Sequence, residues 1–223
     1  MNNINYSLSS HIALHEKKRS LYRYICGLLA GIMCIIIISS NMSITVSADD
    51  YPKAPDIESG NCILMDADSG IVLYEKNSGE KCYPASVTKL MTALIVAESC
   101  NLGDTLTVSR NAVSSVKYGD AAAGLKTGEE FTVEQALNVM LIKSANDMAY
   151  ALGEYAGGSI ANFANMMNKK AEELGCLNTH FTNASGLTDL NHYTTAYDMA
   201  LICRAVLGYP AIMNAISYTK SYS

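Results

Sequence analysis

Tyr83-Pro84-Ala85-Ser86-Val87-Thr88-Lys89-Leu90-Met91-Thr92 places a hydroxyl and an amine three residues apart at the start of a helix. Pro84 suits a first turn. Leu90, Ala93, Leu94 and Ala97 continue with helical spacing. Positions i and i+3 share a helix face, so Ser86 and Lys89 are neighbours. A serine hydroxyl needs a base to become a nucleophile. A lysine serves once its surroundings lower its pKa. The stretch therefore reads as an acyl-transfer site without a catalytic histidine. The bland reading of the same letters is a helix cap followed by a solvated lysine.

A second polar cluster, Ser144-Ala145-Asn146, falls between two helical patterns. A serine can relay a proton, and an asparagine amide both donates and accepts. Alone, such a pair is an ordinary cap. In this order, after Ser86 and Lys89, it adds a candidate relay in Ser144 and a candidate substrate holder in Asn146.

The surrounding pattern is mixed. Cys62–Met65 and Ile71–Tyr74 read as short strands, and Asp68-Ser69-Gly70 supplies the turn of a hairpin. Residues 101–131 are broken by Gly103, Gly119, Gly124 and Gly128. Thr132-Val133-Glu134-Gln135 is a capping box that opens a helix. A further helix starts around Asp147 and ends at Gly157-Gly158. Ser159 caps the next, whose core positions are Ile160, Phe163, Met166 or Met167, and Leu174, with Gly175 as its stop. A polar loop over 178–191 leads to a last helix near Ala196–Leu207, stopped by Gly208. Strands followed by many helices predict an α+β domain with a helical lobe.

Charge and composition narrow the chemistry. The 223 residues are 49% hydrophobic, enough for one core. Residues 1–48 are basic, with Lys17, Lys18, Arg19 and Arg23 against Glu16. The remainder holds 12 basic and 20 acidic residues and carries −8, which argues against a nucleic-acid partner. The basic start, the apolar run Ile25–Ile38 and Val46-Ser47-Ala48 read as a secretory signal peptide cleaved after Ala48. That run falls short of the roughly 20 residues of a membrane span. Residues 49–59 read as a lead-in, and 60–223 as the domain proper. Beyond residue 48 only His180 and His192 remain, without HExxH, so no metal and no cofactor is expected. Five cysteines beyond residue 48, irregularly spaced, read as unpaired thiols rather than a disulfide framework.

Taken together these stretches resemble the serine-type D-Ala-D-Ala carboxypeptidases, the low-molecular-weight penicillin-binding proteins, over about Asp56 to the end. Asp66-Ala67-Asp68-Ser69-Gly70-Ile71-Val72-Leu73-Tyr74-Glu75-Lys76-Asn77 is similar to the family's first hairpin. Pro84–Ala93 is similar to its nucleophile helix, and Leu141–Ala149 to its SxN segment. Asn183-Ala184-Ser185-Gly186-Leu187 and His192–Ala200 are similar to the stretch beyond. The resemblance implies a β-lactamase/transpeptidase-like fold. It also implies removal of the terminal D-alanine from peptidoglycan stem peptides ending in D-Ala-D-Ala. Ser86 would be the nucleophile, Lys89 the general base, Ser144 the proton relay and Asn146 the substrate-binding amide. β-Lactams would be covalent inhibitors. The protein would be exported to the outer face of the cytoplasmic membrane or the cell wall, associating with the membrane surface.

One departure stands out. The family's third motif, Lys-Thr-Gly on a strand after the SxN segment, has no counterpart after Ser144. Lys126-Thr127-Gly128 lies before it, beside Glu129-Glu130, and reads as a coincidence in a turn. The sheet is therefore expected to be truncated at its C-terminal side, with the domain incomplete there. Two alternatives stay open: a class A-like β-lactamase, although Ala145 replaces the aspartate of S-D-N, and an inactive relic lacking the third strand.

Overall fold

A computed structural model of the chain describes residues 24, 25, 27–29 and 54–217. Apart from residues 24, 25 and 27–29, the segment read as a signal peptide lies outside these residues, as do its cleavage after Ala48 and most of the lead-in. The chain divides into two units, Met1–Pro55 and Asp56–Ser223. In the first, Tyr24, Ile25 and Gly27–Leu29 are helical and exposed.

The second unit begins with the expected hairpin. Strand β1 (Cys62–Met65) pairs antiparallel with β2 (Val72–Lys76), Ile63 opposite Glu75 and Leu64 opposite Tyr74. Asp66 makes the turn: its carboxylate accepts from the Ser69 N–H at 2.7 Å, and its carbonyl from the Gly70 N–H. Gly70 has φ +76°, a left-handed conformation that glycine adopts without strain.

A 3₁₀ turn, Ala85–Val87, then runs into helix α1 (Thr88–Ser99). The sequence predicts a one-sided apolar stripe for α1. The structure instead buries Met91, Thr92, Ala93, Leu94, Ile95 and Val96, while Leu90 and Ala97 are only half-buried. α1 is buried on several sides, polar residues Thr88, Lys89 and Thr92 included, because it is the central helix of the lobe. It packs against α3 (Val133–Lys143), α4 (Asn146–Gly157), α5 (Ile160–Glu173), α6 (Ala196–Leu207) and α7 (Pro210–Ile216). Strand β1 of the hairpin lies on α6.

Local signals set the outer helices. Thr132 caps α3 with both arms of the capping box in place, its hydroxyl accepting from Gln135 N–H and Gln135 Oε1 from Thr132 N–H. Ser159 and Thr195 cap α5 and α6. Within the broken stretch 101–131 the chain forms elements too short to read from periodicity. These are β3 (Thr105–Thr107), α2 (Arg110–Ser114) and β4 (Glu130–Thr132), with β3 and β4 paired antiparallel. Lys126-Thr127-Gly128 is an exposed turn ahead of β4, with Gly128 at φ +89° and its N–H donating to Val108. Among the described residues it makes no hydrogen bond to Ser86 or Lys89. The described architecture is thus a helical lobe with two small antiparallel sheets.

Candidate active site

The central helix delivers Lys89 into the core and leaves Ser86 at its rim. Ser86 is exposed, whereas Lys89 is only 2% exposed. The 3₁₀ turn separates the two environments. Its hydrogen bonds run from Val87 N–H to Pro84 O and from Thr88 N–H to Ala85 O. The Ser86 N–H stands outside these two bonds, at the rim where a donor to an oxyanion can act. Ala85, just before the serine, is held at φ +47°. A left-handed alanine costs about 1–2 kcal/mol, a strain of the kind that gathers at functional turns.

Lys89 donates three hydrogen bonds, matching the three N–H groups of an ammonium. They reach Ser86 Oγ at 3.2 Å, Asn146 Oδ1 at 2.7 Å and the Ser185 carbonyl at 2.9 Å. Burial pushes the ammonium down to about 8. Loss of the proton facing Ser86 leaves two N–H bonds intact and turns a lone pair toward the hydroxyl. Such an arrangement can hold a base in line with a hydroxyl nucleophile.

Asn146 owes its place to the junction between α3 and α4. Ser144 ends α3 in a left-handed turn, φ 54°, and Asn146 begins α4. The next residue, Asp147, is buried, and its carboxylate accepts from the N–H groups of Ala123, Gly124, Leu125 and Met148 at 2.9–3.2 Å. The Asn146 N–H donates to Ala121 O at 2.9 Å. This clasp pins the 121–125 loop to the first turn of α4, and so fixes the amide that meets Lys89. The structure therefore brings Ser86, Lys89 and Asn146 together. Ser144, half-buried on the same junction, makes no hydrogen bond to any of them among the described residues.

Two partners were not singled out from the sequence. The Ser185 carbonyl is backbone and leaves no trace in side-chain chemistry. His192 is buried beneath Thr88. The Thr182 N–H donates to His192 Nδ1 at 3.1 Å, so Nε2 carries the proton and donates to Thr88 Oγ1 at 2.8 Å. Burial pushes the imidazole down to about 4. The unfolded chain binds this proton near pH 6.5 and the folded chain only near 4. Acid in that window therefore favours unfolding. Wild type is expected to lose about 3 kcal/mol more than His192→Gln between pH 6.5 and 4, read by chemical denaturation. Parallel curves for the two proteins would count against a neutral His192.

Four of the thiols are poor rivals to Ser86. Burial pushes the thiols of Cys82, Cys100 and Cys203 up and that of Cys176 to about 12. A protonated thiol is a weak nucleophile. Cys62, Cys82, Cys100, Cys176 and Cys203 stand as free thiols in the structure. A groove of about 690 Å³, lined by Phe131, Val139 and Ile142 among others, reaches the 123–125 loop, but Ser86, Lys89 and Asn146 do not line it.

Comparison with known proteins bears directly on this geometry. The model of the family described as D-alanyl-D-alanine carboxypeptidase, Peptidase S11, matches residues 48–223. D-alanyl-D-alanine carboxypeptidase DacF of Bacillus subtilis is 38% identical over 207 residues, covering 90% of this chain and 51% of that protein. DacC of Escherichia coli is 34% identical over 189 residues, covering 81% and 46%. Among solved structures, penicillin binding protein 6B from Escherichia coli superposes with a TM-score of 0.71 at 30% identity, over 77% of this chain and 57% of that one. The D-alanyl-D-alanine carboxypeptidase DacD from Francisella tularensis gives 0.70 at 32% identity, over 77% and 42%. The chain spans about half the length of the curated relatives it matches. The matched span includes the Ser86–Lys89 turn, the Asn146 junction and the Ser185 loop, and on it the chain belongs to the D-alanyl-D-alanine carboxypeptidase family.

Proposed function

We propose that this chain carries the nucleophile and base of a serine-type D-Ala-D-Ala carboxypeptidase that cleaves the terminal D-alanine from peptidoglycan stem peptides. The observation that carries the reading is Lys89, buried, lowered to about 8 and hydrogen-bonded to an exposed serine three residues before it. Neutral Lys89 takes the Ser86 proton, and Oγ attacks the carbonyl carbon between the two D-alanines. The Ser86 N–H receives the developing oxyanion. Ser144 is assigned the transfer of a proton to the departing amine, and Asn146 the substrate amide. Water then hydrolyses the acyl ester on Ser86. β-Lactams, whose strained amide mimics the scissile bond, acylate the same oxygen.

The reading also assigns the protein to the outer face of the cytoplasmic membrane or the cell wall, reached by way of the N-terminal signal peptide and held near the membrane surface. Among the described residues no single helix is long and apolar enough to cross a membrane.

Incubation with benzylpenicillin, followed by peptide mapping, tests the chemistry. One adduct is expected, on Ser86. Below about pH 8 its rate of formation rises roughly tenfold per pH unit, because the neutral fraction of Lys89 does, and it levels above. An adduct on another residue, or a rate flat from pH 6 to 8, would overturn the assignment.

A further inference from the structure

Lys89 works as a base only if its two remaining N–H bonds hold the lone pair on Ser86, and one of those acceptors is a backbone carbonyl. What holds that carbonyl is Asn183. Its Oδ1 accepts from the Gly186 N–H at 2.8 Å and the Ser185 N–H at 3.1 Å, the amides on either side of the Ser185 carbonyl. Its Nδ2 donates to Leu187 O at 3.0 Å. The side chain thus ties a five-residue turn from inside. The same turn is anchored to α1 by Thr92 Oγ1, which donates to Ala184 O at 2.7 Å. Gly186 lies against the Ala85 carbonyl, so the turn touches both the nucleophile's backbone and the base's ammonium.

We propose that Asn183 is a positioning residue for Lys89, resting on the function proposed above. It fixes the Ser185 peptide unit as an acceptor and as a dry wall over the amine. Among the described residues no ionised group bonds directly to Lys89. From the 3₁₀ turn ahead of α1 it meets Ser86, from α4 the neutral amide of Asn146, and from the 183–187 turn the Ser185 carbonyl. The nearby Asp147 carboxylate is spent on four backbone N–H groups, and His192 is engaged with Thr88 and Thr182. Burial is thus what sets the protonation of Lys89. Loosening the turn admits water and relieves it.

The test follows the Lys89 side chain by NMR titration and, separately, the rate of benzylpenicillin acylation. Asn183→Ala is expected to raise the Lys89 midpoint by about one unit or more. Acylation should slow about 10–100-fold, the effect of misplacing a catalytic group by a fraction of an ångström to one ångström. Asn183→Ser, whose hydroxyl oxygen accepts from N–H groups two and three residues on, restores most of both. Asn168→Ala is the control. Asn168 bonds both backbone groups of Phe181, so its loss loosens the protein without touching the 183–187 turn. A midpoint unmoved in Asn183→Ala, or moved equally in Asn168→Ala, overturns the proposal. A wild-type midpoint near that of an ordinary lysine, or no adduct on wild-type Ser86, would instead sink the function on which it rests.

Discussion

Replacing Lys89 by methionine is expected to slow acylation of Ser86 by about 10²–10⁴-fold, the usual worth of a positioned general base. Methionine keeps the length and the apolar stem of the side chain and removes the amine. The loss should be confined to the acylation step and should not recover at high pH. The same substitution has a signature in stability that does not depend on any substrate. Lys89 binds its proton to about pH 8 in the folded chain and to about 10.5 in the unfolded one. Between those values the unfolded chain holds more protons, so stability rises with pH. Wild type is therefore expected to gain about 3 kcal/mol across pH 8 to 10.5 that Lys89→Met does not gain. Below pH 8 the folded protein bears that cost in full, a stability penalty accepted for a lysine that can act as a base. Denaturant titrations of both proteins at several pH values read the difference. Acylation of Lys89→Met within tenfold of wild type would remove the lysine from the chemistry.

Much of this site is written in local sequence. Ser86 and Lys89 are three apart across the 3₁₀ turn that runs into α1, and that spacing already predicts their contact. The same holds for α3, where Thr132 and Gln135 announce the capping box, and for α6, bounded by Thr195 and Gly208. What escaped the sequence depends on partners distant in the chain. β3 and β4 are three residues each and exist because Leu106 finds Phe131 across an intervening loop. Three residues are too few for a period to show. Helix α7 is seven residues long, and Pro210 at its start is equally the mark of a turn. In α1 the apolar residues were legible, but the burial of Thr88, Lys89 and Thr92 was not. Each polar group is satisfied from elsewhere: Thr88 by His192, Lys89 by Asn146 and Ser185, Thr92 by Ala184. Buried polar groups survive in a core only when so paired.

Those pairings tie the 182–192 segment to the reaction proposed for Ser86 and Lys89. The polar face of α1 is matched, residue by residue, to carbonyls and an imidazole of that segment. The charge-bearing groups of the site are thereby held by neutral partners. A carboxylate against Lys89 would hold its proton too firmly for a base at neutral pH. The single buried carboxylate of the SxN junction, Asp147, faces away toward the amides of the 123–125 loop. The division of labour is physical: amides and carbonyls orient the amine, burial lowers it, and the nearby charge is used for scaffolding.

The tightest point of this fit is Gly186, and Gly186→Ala should show it. Gly186 has φ +85°, where an alanine alone costs about 1–2 kcal/mol. A Cβ there would also fall inside the Ala85 carbonyl group and within 2.9 Å of Thr88 Oγ1. Ala85 is already in a left-handed conformation and Thr88 is fully buried, so neither can yield cheaply. Overpacking adds about 1–3 kcal/mol. A total near 3 kcal/mol would lower Tm by roughly 6–12 °C for a domain of this size. Relief would come by pushing the Pro84–Val87 turn outward, which moves Ser86 away from Lys89. Acylation should then fall about 100-fold in the fraction that remains folded, as misplacement by about an ångström does elsewhere. Gly158→Ala separates the two causes. Gly158 also has a left-handed φ, +72°, but nothing lies within 4 Å of its Cβ position. It should cost the conformational 1–2 kcal/mol alone and leave acylation at the wild-type rate. Equal losses of rate in the two variants would mean that backbone strain, and not the contact with Ala85, is what Gly186 relieves.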